Sequence, residues 1–182
     1  LDQPTKSRHF TKSAEARAKI RESIKAMNPD VISFEEMGTA NALLELRASL
    51  KADGVDYPYW EEVQGWDTNI HIAVLSKFPI VARRPQTNDT FLLSGRQFHV
   101  SRGFLDVDIQ VRTNYMFTLL GAHLKSQRPV PEADETELRL EEAKLLREKV
   151  DALLNANPDA NVVVLGDFNQ GPASPSTKAV LG

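Results

Sequence analysis

The run Val162-Val163-Val164-Leu165-Gly166-Asp167-Phe168-Asn169 constrains this chain more than any other segment. Consecutive β-branched and leucine residues without polar alternation predict a strand buried on both faces. Gly166 marks the end of that strand by permitting a sharp or closely packed backbone. A carboxylate and an amide follow at once, at the carboxyl edge of the strand, where α/β sheets and sandwiches collect their sites. A purely local reading also exists, in which Asp167 opens a turn and Asn169 supplies a left-handed residue ahead of Gly171-Pro172.

The elements around this strand give it a setting. From Thr11 to Met27, the apolar residues Ala16, Ile20, Ile24 and Met27 recur at helical spacing among charges, with Thr11 or Ser13 as the cap. Asn28-Pro29-Asp30 breaks this helix, and Val31-Ile32-Ser33-Phe34 predicts a short buried strand ending at Glu35-Glu36. Ala40 to Lys51 is helical again, with Leu43, Leu44, Leu46 and Leu50 on one face and Gly54 beyond its end. Short β-rich segments follow at Tyr57 to Val63, Ile70 to Ser76, Ile80 to Arg83, Phe104 to Val111 and Tyr115 to Leu120. The alternation from Leu105 to Val111 predicts a half-exposed antiparallel strand, and the irregular stretch Asn88 to Ser101 a loop. Glu135 to Leu154 carries Leu138, Ala143, Leu146, Val150 and Leu153 as the stripe of a long helix. With no repeat, low-complexity tract or linker, residues 1–182 read as a single domain of mixed α/β type.

Composition narrows the chemistry. The chain has no cysteine, which excludes disulfides and thiolate zinc sites. Its net charge of −3 argues against gripping nucleic acid by bulk electrostatics, while leaving room for a local basic cleft. No apolar stretch approaches the roughly 18–20 residues that span a bilayer, and no signal-peptide core follows Leu1. A soluble protein is expected, cytoplasmic or exported after removal of a signal peptide outside this sequence.

Polar groups gather at predicted strand ends: Glu35-Glu36, Asp67 to His71, His123 with Lys125-Ser126, and Asp167 with Asn169. Neighbouring strands bring such ends into one cleft. Carboxylates without thiolates suit Mg²⁺ or Mn²⁺, which polarise a phosphoryl oxygen and activate water. A nearby histidine can donate to developing negative charge or move a proton. Each group also has a plainer role. Glu35-Glu36 can be a solvated terminus, His71 a pleat residue, His123 a hydrogen-bonded core histidine, and Arg102 and Lys125 surface charge.

Together these segments resemble the endonuclease/exonuclease/phosphatase superfamily, the DNase I-like metal-dependent phosphoesterases. Asn28-Pro29-Asp30-Val31-Ile32-Ser33-Phe34-Glu35-Glu36 is similar to the family's "PDVIxLQE", with Glu36 at the metal-binding position and Glu35 in place of the usual Gln. Ile72 to Ile80 resembles "GVAILSRxPI"; Arg102 resembles the arginine that approaches substrate phosphate. Gly121-Ala122-His123-Leu124-Lys125-Ser126 resembles "THLKS", whose histidine contacts the scissile phosphate, and Arg139 with Glu142-Ala143 resembles the following helix. Gly166-Asp167-Phe168-Asn169 matches "GDFN".

The resemblance implies a four-layer α/β sandwich, two packed mixed or antiparallel sheets flanked by helices, here incomplete at both termini. It implies that Asp167 and Asn169 position water or a second ion and hold phosphate, and that Arg102 and Lys125 bind substrate. The family's opening strand ending in Asn, and its closing Ser-Asp-His segment, have no counterpart between Leu1 and Gly182. A fragment is therefore expected, weak or inactive itself and cut from an active Mg²⁺-dependent phosphoester hydrolase. Family members act on DNA, RNA, sphingomyelin or inositol phosphates, and a histidine rather than a tyrosine segment looks less like the abasic-site repair branch. The alternative is a catalytically incomplete member that binds a phosphorylated ligand or a protein partner.

Overall fold

The computed structural model describes residues 12–182. Helix α1 (Ala14–Met27) opens at Ser13, whose hydroxyl accepts from the Ala16 N–H at 3.1 Å. Thr11, the other candidate cap, lies outside the described residues. Asn28 ends α1 in a left-handed conformation with its N–H on the Ile24 carbonyl. Then come β1 (Val31–Met37), α2 (Ala40–Ala52), β2 (Tyr59–Val63), β3 (His71–Ser76) and β4 (Ile80–Arg83). They are followed by β5 (Thr90–Leu93), β6 (Arg96–His99), β7 (Phe104–Arg112), β8 (Tyr115–His123), α3 (Glu135–Ala156), β9 (Val162–Asp167) and α4 (Pro175–Leu181).

The strands form an antiparallel sheet of order β1-β3-β2, a mixed sheet of order β4-β7-β8-β9 and the separate hairpin β5-β6. Among the described residues only the β8·β9 pairing is parallel. Because side chains alternate across a strand, each central strand feeds two cores. Ala73 and Leu75 of β3 pack with Ile24, Leu43 and Leu50 of the first two helices. Its Ile72 and Val74 face the second sheet and meet Leu105, Val107, Ile109 and Leu119. On the far side of that sheet, Phe104, Leu120 and Ala122 meet Leu138, Ala143, Leu146 and Val150 of α3 and Val180 of α4. The result is the expected four-layer order of helices, sheet, sheet and helices. Among the described residues no helix is long and apolar enough to cross a membrane.

Several expectations need correction. The Val162 strand is an edge strand rather than one buried on both faces: β9 pairs with β8 alone, and Val163 is 41% exposed. It also runs through Gly166 to Asp167 instead of stopping at the glycine. Asn88 to Ser101 is no loop but holds the β5-β6 hairpin, turned at Ser94-Gly95, both with positive φ. The β7 strand is central rather than half-exposed, and its Asp106 and Asp108 are covered because Arg84 forks onto both carboxylates. Glu35 and Glu36 lie inside β1, not beyond it, at a register shift between Phe34 and Met37. Likewise β8 continues past Leu120, so His123 is its final residue.

Candidate active site

The site begins with a close approach between two backbones. In the parallel β8·β9 pair Ala122 lies opposite Gly166, and His123 opposite Asp167. Gly166 has φ +142°, and a Cβ there would collide with the Ala122 carbonyl, so only glycine lets β9 lie this close. That contact sets Asp167 Oδ2 3.9 Å from His123 Nε2. The chain then turns tightly: Asp167 Oδ1 accepts from the Asn169 N–H at 2.8 Å, and Asn169 is left-handed at φ 54°. Asn169 Nδ2 donates to the Leu124 carbonyl at 2.9 Å, while the Leu124 N–H donates to the Asp167 carbonyl at 3.0 Å. Asp167 and Asn169 therefore make the local turn and at the same time stand at the mouth of the sheet.

His123 is 3% exposed, and its Nδ1 is buried without a hydrogen-bond partner. Burial lowers its pKa below 6.5, and the Arg102 guanidinium lowers it further. The carboxylates of Asp167, Glu36 and Asp67 act in the opposite direction without overcoming burial. The imidazole is consequently neutral at physiological pH. These same neighbours show that groups from β1, the loop before β3, the segment before β7, and the ends of β8 and β9 share one electrostatic neighbourhood.

Glu36 reaches this neighbourhood through the β1 bulge, where it is left-handed at φ 58° and its side chain is exposed. Its neighbour Glu35 feels Asp167; burial raises the Glu35 pKa, and Asp167 adds to that rise. Asp67 is anchored by its N–H on the Ser101 carbonyl at 2.6 Å, while its Oδ1 accepts from the Asn69 N–H. Arg102 is buried, donates from Nη1 to the Leu124 carbonyl at 3.1 Å, and keeps a buried Nε with no partner. Lys125 turns aside, since its Nζ donates to the carbonyls of Ser126 and Arg128. His71 stays apart as a core residue between the Glu62 carboxylate and the Thr68 carbonyl.

Sequence reasoning gave no role to the groups that tie the Ser101 and Lys125 loops together. Glu142 is buried in α3 and accepts from the Ser101 N–H at 3.1 Å and the Lys125 N–H at 2.6 Å. Arg139, one turn earlier, donates to the Lys125 carbonyl at 2.8 Å. The available signal was a pair of charges inside the apolar stripe of Leu138, Ala143 and Leu146.

Among the described residues no three His, Asp or Glu side chains form a ready-made metal cage. The donors nevertheless fit a hard divalent ion of the Mg²⁺ type, which keeps most of its water and takes one or two carboxylates. Glu36 offers an exposed carboxylate with no hydrogen-bond partner among the described residues, and Asp167 offers a second, and both act on His123.

Comparison with known proteins gives the same picture at the level of fold. Residues 7–181 match the Endonuclease/Exonuclease/phosphatase family. No curated protein sequence matches the chain. Sphingomyelinase C from Streptomyces griseocarneus is similar in structure, with a TM-score of 0.67 and 23% identity over 91% of this chain and 60% of that one. A beta toxin variant from Staphylococcus aureus with bound magnesium ions gives a TM-score of 0.68 and 24% identity over 91% of this chain and 61% of that one. An endonuclease/exonuclease/phosphatase family protein from Bacteroides thetaiotaomicron gives 0.64 and 17% identity, covering 92% of this chain and 58% of that one. The chain thus spans about three fifths of the length of these structures.

Proposed function

The chain belongs to the endonuclease/exonuclease/phosphatase family, and from that premise we propose that it is the core of a divalent-metal-dependent phosphoesterase that cleaves phosphodiester or phosphomonoester bonds by in-line attack of water. The observation that carries this reading is the convergence of Arg102, His123, Asp167 and Asn169 on the ends of β8 and β9. A buried guanidinium with an unpaired Nε is a ready partner for a phosphate oxygen. His123, neutral because it is buried, donates a hydrogen bond to the phosphoryl oxygen as negative charge builds there. Asp167 accepts a hydrogen bond from the attacking water and aligns it, and the second amide hydrogen of Asn169 remains for phosphate. Lys125 binds substrate after its ammonium leaves the carbonyls of Ser126 and Arg128. Glu36 holds the ion, which when bound polarises the phosphoryl oxygen and acidifies water. The magnesium in the beta toxin structure supports that choice of ion.

Turnover of bis(p-nitrophenyl) phosphate with and without Mg²⁺ tests this reading, measured on a protein that carries these residues within the full length of the family's solved structures and on its His123→Ala and Glu36→Gln variants. Mg²⁺-dependent hydrolysis that both substitutions abolish is the expected result. One observation favours the second reading, a phosphate-binding member without catalysis: the absence of a three-ligand cage among the described residues. Phosphate that raises the melting temperature, with no hydrolysis under any metal, would establish that reading instead.

A further inference from the structure

We infer that the cavity beside Trp66 is a base-stacking subsite and that the phosphoester taken by this site belongs to a single-stranded nucleic acid. The inference rests on the phosphoesterase reading for its phosphate and on separate observations for its base. The cavity, of about 480 Å³, is lined by Gln64, Gly65, Trp66, Thr68, Thr87 and Asn88. It adjoins the catalytic groups through the backbone. Gly65 presses so closely on the Arg102-Gly103 peptide that a Cβ would overlap it, and the next loop residue but one, Asp67, bonds Ser101.

Trp66 is 65% exposed, unusual for an indole unless the face has a use. It is not loose. The His99 imidazole stacks on it with ring centroids 3.9 Å apart and planes 4° from parallel. The His99 Nδ1 is buried without a hydrogen-bond partner, so the ring is positioned for its face rather than for a polar contact. One indole face is thereby fixed in advance and the other left open, which reduces the ordering cost of stacking a ligand.

The lining decides what stacks. Gln64 and Asn88 carry amides, and Thr68 and Thr87 hydroxyls, groups that donate to and accept from a heterocycle edge. A quaternary ammonium headgroup would call for several aromatic walls or a lining carboxylate. The cavity offers one indole and no charge, and its Gly65 wall lies against the backbone of Arg102. A flat, neutral base attached to a phosphate seated at Arg102 matches both halves. Stacking of this kind tolerates any base and requires a single strand, because in a duplex the faces are already occupied.

The test measures the affinity of the protein for labelled oligothymidylate and for an abasic strand of equal length, by anisotropy in EDTA. The same titrations are run with Trp66→Ala and Trp66→Phe. Binding should favour the base-bearing strand; W66A should cut that affinity by roughly 5- to 150-fold, the range seen for stacked bases. W66F should restore most of it, and the abasic strand should bind all three proteins alike. Equal binding of the two strands, or no effect of W66A, overturns the proposal. So does phosphocholine competing at Trp66 where thymidine phosphate does not, which would assign the cavity to a lipid headgroup. Binding in EDTA is independent of turnover. Loss of hydrolysis with the base preference intact would sink the phosphoesterase reading alone.

Discussion

Replacing Glu142 with Gln tests whether the buried carboxylate braces the site. The side chain is 2% exposed and accepts from two backbone donors, Ser101 N–H and Lys125 N–H. Hydrogen bonds to a charged acceptor contribute about 1.5–3 kcal/mol each. Glutamine keeps one acceptor oxygen and turns its NH₂ towards the other donor, so one bond is lost and one buried N–H is orphaned. Against this, burial holds the Glu142 carboxyl above its ordinary pKa, and removing the charge relieves that cost. The net loss is expected to be about 1–3 kcal/mol, or roughly 2–12 °C in Tm at about 2–4 °C per kcal/mol for a chain of this length. Glu142→Ala orphans both donors and should lose about 2–6 kcal/mol. Circular dichroism melts across acid to neutral pH provide the assay. With its folded pKa raised, the native state binds the proton more tightly than the unfolded chain. The parent therefore loses stability as pH rises from the unfolded to the folded value and is level above it. The glutamine variant lacks that slope, so the gap should be widest in acid and narrow to a plateau. An E142Q protein that melts at or above the parent at neutral pH would mean that desolvation outweighs the two bonds, and the brace argument would fail.

Gly166→Ala should cost at least about 2–3 kcal/mol in denaturant unfolding, since φ +142° and the Ala122 carbonyl both exclude a side chain; an unchanged midpoint would show that β9 can back away from β8. Arg84→Met strands Asp106 and Asp108, and should destabilise by about 1–3 kcal/mol once the 38% exposure of the arginine is discounted. Arg84 holds Asp108 below 3.8, so that stability is whole above this value and is lost as pH falls towards the folded pKa. Acid melts of R84M should accordingly be shallower, and identical acid limbs would count against the pair. The His123 ring should titrate below 6.5 in proton NMR, with stability falling as pH drops from 6.5 to the folded value and level beneath it; a midpoint at or above 6.5 would contradict its burial as neutral imidazole.

Helices α1, α2 and α3 and the β3 core were legible in the sequence because one pattern dominated each. Leu43 and Leu50 fall on one face of α2, and every residue of β3 is buried. The β5-β6 hairpin was not, since its strands are short and Leu92 points to solvent, which blurs the alternation. The Ser94-Gly95 turn was the surviving signal. The Val162 run misled for a different reason. An apolar strand announces that it packs, whereas its place at an edge depends on which other strands pair with it. For the site, motif order placed His123, Asp167 and Asn169 within reach of one another. The Glu142 brace and the Trp66 platform depend on contacts between segments distant in sequence, which no local pattern encodes.

The non-glycine residues with positive φ isolate what is unusual about Glu36. Among the described residues they are Asn28, Glu36, Ser94 and Asn169. Asn28 ends α1 with a hydrogen bond to Ile24, Ser94 turns a hairpin, and Asn169 is held by Asp167. Each has a local reason, and Asn enters the left-handed region at little cost. Glu36 has neither a short polar side chain nor a local hydrogen bond, so its conformation costs on the order of 1 kcal/mol. In a regular strand Glu35 and Glu36 would point to opposite faces, and one carboxylate would enter a core. The bulge lets Glu35 feel Asp167 and Glu36 feel His123 instead. If that placement is why the strain persists, Glu36→Gly should fold with equal stability or gain up to about 1 kcal/mol, since glycine takes this φ freely. If Glu36 holds the ion as proposed, Mg²⁺ should raise the Tm of the unsubstituted protein and leave that of the glycine variant unchanged. A glycine variant destabilised by more than about 1 kcal/mol would show that the glutamate side chain holds the bulge itself, and its conformation would then be structural rather than functional.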